Sequence, residues 1–206
     1  EVLHRGKTES EVLLPMGGAH NVENALGVYA AGWSNGLSHE ELRHGFASFT
    51  GVKRRQEVRA EVNGVMVVDD FAHHPTAVRE TIAAVKGRYP SRRLWAIFEP
   101  RSNTSRRNIH QHEYAESFGG SSRVFIKVPE KTDRVPTGEE LDVPKLVEDI
   151  KHHGIESIGH SDVGAMVKQV AAEAKPGDLL LVMSNGSFGG FIDKLIAELK
   201  SKPGGA

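Results

Sequence analysis

The sequence contains no cysteine. That excludes disulfide bonds, thiolate nucleophiles and cysteine-ligated zinc. No apolar run approaches the roughly 20 residues needed to span a bilayer, and the opening EVLHRGKTES lacks the apolar stretch of a signal peptide. There is no excess charge of either sign: 26 basic residues against 27 acidic ones give −1. A balance so close to zero argues against general binding to nucleic acid or to a membrane surface. The phosphate-binding pattern G-x-x-x-x-G-K-[ST] is also missing. So is an initiator methionine; the chain opens inside a charged segment, which reads as a piece of a longer polypeptide. The final SKPGGA reads as a frayed tail. These features fit a soluble, cytoplasmic protein.

What is present is 206 residues, 38% of them hydrophobic, enough for one or two domains with a buried core. EVLLP (11–15) predicts a short strand closed by proline and glycine. HNVENALGVYAAGWSNG (20–36) predicts a helix with Asn21 as its N-cap, and Ser38 with Glu41 three residues later forms a capping-box pattern opening a second helix. Residues 1–50 therefore read as strand, helix, helix, too little to bury a core of their own. GVKRR (51–55) is a basic linker. Two alternating segments around Asn63-Gly64 predict a hairpin.

Beyond the hairpin the pattern becomes strand, then helix, repeatedly. Helices are expected over 75–88, 108–118, 143–152, 163–174 and 190–200. Strands are expected at RLWAIF, RVFIKV, 155–158 and DLLLVM. Such alternation predicts an α/β fold: a Rossmann-like, mostly parallel sheet with helices on both faces, preceded by the strand-helix-helix remnant of another domain. Trp33 and Trp95 read as packing residues, and HQHE and KHHG as solvated helix faces.

Ligands of open α/β sheets bind outside the carboxyl ends of strands. Three loops expected there are chemically unusual. DDFAHHPT carries Asp69, Asp70, His73 and His74. Adjacent histidines after a strand diverge, and neither cysteine nor helical zinc spacing accompanies them. The cluster is open to three readings: a metal site, a helix cap (Asp70, Thr76) beside solvated histidines, or ligand contact with a carboxylate on ribose hydroxyls. EPRSNTSRR sets Arg101, Arg106 and Arg107 among Ser102, Asn103, Thr104 and Ser105. Guanidinium forks bind carboxylate or phosphate in a bidentate way; the plain alternative is a solvated loop with Asn108 capping a helix. SNGSFGGF, with Ser184, Asn185 and Ser187, is a glycine-rich strand-to-helix turn able to present N–H groups to an anion, or simply to pack tightly.

GGAHNVENALGVYAA, FTGVKRRQE and VVDDFAHHPTAV, in that order, resemble the Mur ligases of bacterial cell-wall synthesis. The resemblance runs from about residue 13 to 199. Within the family, EPRSNTSRR and MSNGSFGGF resemble the branch joining L-alanyl-γ-D-glutamyl-meso-diaminopimelate to UDP-N-acetylmuramate rather than the L-alanine-adding branch, which is the alternative. A non-catalytic nucleotide-binding module is a further one. The resemblance implies an ATP-driven amide ligase acting through an acyl phosphate, with residues 1–50 ending a central ATPase domain and 51–206 forming the C-terminal domain. The N-terminal and central domains would then be partners of this fragment, which would be inactive alone. It implies ATP and Mg2+, with the magnesium ligands mostly elsewhere and none assigned here. His20, Asn21 and Asn24 resemble the adenine-side contacts, and Arg54 or Arg55 the arginine near the phosphates. Asp70 matches the ribose aspartate, and His73, with His74 beside it, a residue near the acceptor. Arg101 and Arg106, with Asn103 and Ser184, Asn185 and Ser187 nearby, would hold the peptide. Phe71 stands where the family has tyrosine, and Asp69 is left without a role.

Overall fold

In the computed structural model, which describes residues 1–130 and 135–202, the turn Asn63-Gly64 opens the main sheet. Asn63 (φ 51°) and Gly64 (φ 76°) are both left-handed, as a two-residue hairpin turn matching strand twist requires. They join β3 (Glu57–Val62) to β4 (Val65–Asp70). The other strands of that sheet are β5 (Arg93–Phe98), β6 (Arg123–Lys127), β7 (Glu156–His160) and β8 (Asp178–Met183). Their spatial order is β3-β4-β8-β5-β6-β7, with β3 antiparallel and all other neighbours parallel.

Side chains alternate across each strand, so an apolar strand buried on both faces supplies two cores. Val68, Ala96, Phe98, Val124, Ile126, Leu181 and Met183 face one side, covered by α3 (Pro75–Arg88), α4 (Gln111–Ser117) and α5 (Val143–His152). Val67, Trp95, Ile97, Phe125, Leu180 and Val182 face the other, covered by α6 (Val163–Glu173) and α7 (Phe191–Ser201). The expected α/β class, with helices on both faces, is what the chain adopts.

The N-terminal segment departs from expectation. Its strands are β1 (Val2–His4) and β2 (Lys7–Ser10), an antiparallel pair around Arg5 and Gly6, whereas 11–15 forms no strand. Helix α1 spans Ala19–Ser34 and α2 spans His39–Ser48. The capping box of Ser38 and Glu41 is present. Asn21 is not an N-cap: Gly18 (φ 104°) starts the helix, and the Asn21 amide donates back to Gly17 O at 2.7 Å. Val2, Tyr29 and Leu42 make a small core, while Leu13, Val28 and Leu26 are 80%, 62% and 53% exposed. Trp95 is buried as expected, but Trp33 is 37% exposed, its ring 5.0 Å from His4 and 5.1 Å from His39. Asn108 opens a short 3₁₀ turn, Asn108–His110, rather than capping α4. Of the expected tail SKPGGA, Ser201 still belongs to α7, and the residues beyond Lys202 lie outside the described residues. Among the described residues no helix is long and apolar enough to cross a membrane.

Candidate functional site at the carboxyl ends of the strands

The strand order decides what meets. Because β8 runs between β4 and β5, the loops after these three strands emerge side by side. Each pairing continues one residue past the strands: Ser184 N–H donates to Asp70 O at 3.1 Å and Glu99 N–H to Met183 O at 3.0 Å. This is the switch point of an open α/β sheet, where the chain leaves in opposite directions over the two faces.

Arg54 stitches the basic linker to this point. Its Nη2 donates to Ser184 O and, at 2.8 Å, to Gly186 O, and its Nε lies 3.7 Å from Asp69. Its backbone is left-handed (φ 59°), as is that of Gln56 (φ 50°), an arrangement costing about 1–2 kcal/mol per residue. The Arg54 and Arg55 guanidinium carbons lie 5.1 and 5.7 Å from the Phe71 ring centroid, within cation–π range. Arg55 is exposed.

The two aspartates turn inward. Asp70 is 2% exposed. Its Oδ1 accepts from Ala72 N–H (2.8 Å) and the Thr81 hydroxyl (3.3 Å), and its Oδ2 from Gln56 N–H (2.9 Å). Burial pushes its carboxyl above the ordinary value, against the pull of these donors and of Arg55. Asp69 is 3% exposed, with Arg59 Nη1 at 3.2 Å from Oδ2. Burial raises it too, opposed by Arg54 and Arg59. Asp69 is thus the counter-ion of the basic linker and of β3.

His73 is half-buried, with Nδ1 3.0 Å from Phe71 O, and its carbonyl accepts from the Tyr114 hydroxyl. Burial raises the Tyr114 phenol far above its ordinary value, so it remains a donor. His74 is exposed, its ring 4.6 Å from that of His110. Arg101 lies across Gly186: a Cβ built there would fall 2.6 Å from Arg101 Cζ. Asn103 and Ser187 are exposed. Arg106 is half-buried, and its Nε, like Asn185 Oδ1, is buried without a hydrogen-bond partner among the described residues. Arg107 is used internally, paired with Glu139.

His20, Asn21 and Asn24, expected to contact adenine, stand apart from this cluster. His20 Nδ1 lies 3.6 Å from Glu80, at a cavity of about 840 Å³ between residues 13–20 and α3. Asn24 is exposed beside the apolar Leu14, Val28 and Phe46. Gln56 connects the two regions, donating from Nε2 to Gly17 O (3.1 Å) and from its backbone to Asp70. Gln56, Arg59, Glu99 and Tyr114 were not singled out from the sequence. Glu99 had a signal, since it adjoins Arg101 at a strand end; the others become visible only through contacts distant along the chain.

A doubly wound α/β domain with arginines gathered at its switch point has the architecture of a class whose ligands bind outside the carboxyl ends of the strands. Within that class, the chain belongs to the Mur ligase family: residues 54–186 match the family described as Mur ligase, glutamate ligase domain. It is 36% identical over 203 residues to the UDP-N-acetylmuramate–L-alanyl-gamma-D-glutamyl-meso-2,6-diaminoheptandioate ligase of Haemophilus influenzae, covering 98% of this chain and 42% of that protein. It is 33% identical over 205 residues to the UDP-N-acetylmuramate–L-alanine ligase of Geotalea daltonii, covering 97% of this chain and 43% of that protein. Among solved structures it is similar to a murein peptide ligase from Psychrobacter arcticus, with a TM-score of 0.70 and 35% identity over 93% of this chain and 39% of that one. The chain therefore spans about two fifths of the relatives it matches.

Proposed function

We propose that this chain is the C-terminal portion of an ATP-dependent ligase that joins L-alanyl-γ-D-glutamyl-meso-diaminopimelate to UDP-N-acetylmuramate in the cytoplasm. Residues 1–50 would end the central ATP-binding domain and 51–206 form the last domain. The exposed Leu13, Leu26 and Val28 support that division, since a segment with so small a core needs further apolar cover. The observation carrying the reading is the convergence of the Arg101–Arg106 loop, the Ser184–Ser187 turn and the His73 loop at one switch point.

In this reading the muramate carboxylate attacks the γ-phosphate, and the alanine amine displaces phosphate from the acyl phosphate. What supports a polyphosphate here is the charge of Lys53, Arg55 and Arg88, which together with Glu57 line a cavity of about 340 Å³. Arg54 or Arg55 would face the phosphates, with His20, Asn21 and Asn24 toward the adenine. Asp70 would reach the ribose only by releasing an oxygen from Gln56 or from Ala72. ATP supplies the activating phosphoryl group; magnesium would be held mainly by residues outside this chain. Arg101 and Arg106, with Asn103, Asn185 and Ser187, would hold the peptide's carboxylates while His73 and His74 border the acceptor amine.

Calorimetry on this chain with the tripeptide and with L-alanine tests the reading. Tripeptide binding without alanine binding is the expected result. Preference for alanine would favour the alternative suggested by the Geotalea relative, and binding of neither would favour a non-catalytic nucleotide module. ATP turnover by this chain alone would count against the fragment assignment.

A further inference from the structure

Glu99 stands beside Arg101 and Ser184 at the switch point, and the proposed function leaves it unused. It follows β5, and its backbone pairing with Met183 places it at the floor between β5 and β8. Its side chain is only 13% exposed. Oε2 accepts from the Ser184 hydroxyl, whose oxygen accepts in turn from Gly186 N–H at 2.9 Å. Oε1 has no hydrogen bond among the described residues, and Arg101 Nη1 stands 4.0 Å from it. That distance is too long for a hydrogen bond and about an ångström beyond a closed guanidinium–carboxylate pair. The Arg101 guanidinium likewise donates no hydrogen bond among the described residues, and its side chain is 46% exposed.

A guanidinium and a carboxylate side by side, each with bonding capacity left, complement a ligand bearing carboxylate and ammonium on one carbon. The proposed peptide has one such centre. Its alanine carboxyl, glutamate nitrogen and inner diaminopimelate nitrogen are all in amide bonds; only the distal carbon of diaminopimelate keeps both free charges. The alanine amine is a poorer fit, because it must lose its proton to attack and a carboxylate grip would favour the charged form. We propose that Glu99 binds the distal ammonium of the peptide while Arg101 takes the carboxylate on the same carbon. The assignment rests on the proposed function and names the specificity element within that site.

The test pairs two ligands with two proteins in calorimetry. The ligands are the tripeptide and its analogue with 2-aminopimelate as third residue, which lacks only the distal amine. The proteins are this chain and Glu99→Gln, whose amide oxygen still accepts from Ser184. A charge-assisted hydrogen bond corresponds to about 10- to 100-fold in affinity, so the unaltered chain is expected to prefer the tripeptide by that factor. E99Q is expected to bind the two ligands alike. A residue that only braced the Ser184 turn would weaken both ligands together and leave the preference intact, which would overturn the assignment. Equal binding of both ligands by the unaltered chain would also overturn it, and decides the matter even if E99Q fails to fold. Binding of neither ligand would instead overturn the proposed function, and this assignment with it.

Discussion

Replacing Asp70 with asparagine changes a single atom, yet the surroundings make the cost calculable. Oδ1 receives Ala72 N–H at 2.8 Å and the Thr81 hydroxyl at 3.3 Å; Oδ2 receives Gln56 N–H at 2.9 Å. An asparagine can keep its oxygen at only one of these positions. The other becomes an NH2 facing a backbone N–H, so one buried donor loses its acceptor. Leaving such a donor unmet costs about 1–3 kcal/mol, more where the lost acceptor was charged. Relief of the carboxylate's desolvation offsets part of this. A net loss of about 2 kcal/mol corresponds to a fall in Tm of about 4–8 °C for a domain of this size. Urea unfolding followed by circular dichroism at pH 7 measures it. The orientation keeping two of three bonds places the new NH2 at Gln56, so the linker should loosen before the sheet does. Amide exchange would show this as faster exchange at Gln56 than at Val67 or Leu181. Unchanged stability together with unchanged exchange at Gln56 would refute the reasoning.

Gly186→Ala is expected to keep its fold, because its added Cβ meets the flexible end of Arg101 and the backbone there is not left-handed, whereas peptide affinity should drop about tenfold or more as Arg101 is pushed aside; calorimetry alongside a melting curve checks both. Tyr114→Phe removes the donor to His73 O and should destabilise by about 1 kcal/mol, read from urea unfolding, with altered chemical shifts of His73 and His74. Asp69 is raised in the folded state, so its stabilising share is full below its unfolded pKa near 4 and is lost as pH rises through the folded value; the stability of Asp69→Asn relative to the parent should therefore climb as pH rises above about 4, and a fall over that rise in urea titrations would contradict it.

Much of the sheet was legible because its strands are short apolar runs between turn signals. Arg93–Phe98 and Asp178–Met183 matched expectation to the residue, as did the helices Pro75–Arg88 and Val143–His152, each opened by a proline in the first turn. The β1–β2 pair was missed because its strands carry charge and burial is confined to Val2 and Ser10. Leu13 and Leu14 suggested a strand but pair with no strand among the described residues. The three loops could be picked out by chemistry, yet their adjacency could not: local pattern does not tell that β8 inserts between β4 and β5. Nor does it bring Arg54 to Ser184, 130 positions away. Asp70 looked like an exposed ligand group because its inward turn depends on Gln56, whose left-handed backbone no local signal announces.

The antiparallel β3 has a mechanical consequence. In an all-parallel sheet the polypeptide arrives at the inert amino ends of the strands. Here Glu57 pairs with Asp69, so the chain reaches the sheet at the carboxyl ends of its parallel strands. Between Gly51 and those ends lie five residues, three of which, Arg54, Arg55 and Gln56, reach Ser184, Gly186, Phe71 and Asp70. A twist of the N-terminal segment about Gly51 therefore acts through a lever five residues long, shared with the bonds that Gly17 and Pro15 accept from Gln56 and Arg88. Torque applied to residues 1–50 would reach Arg54 and the Ser184 turn by this route, and α3 by a second one through Arg88 and Glu80.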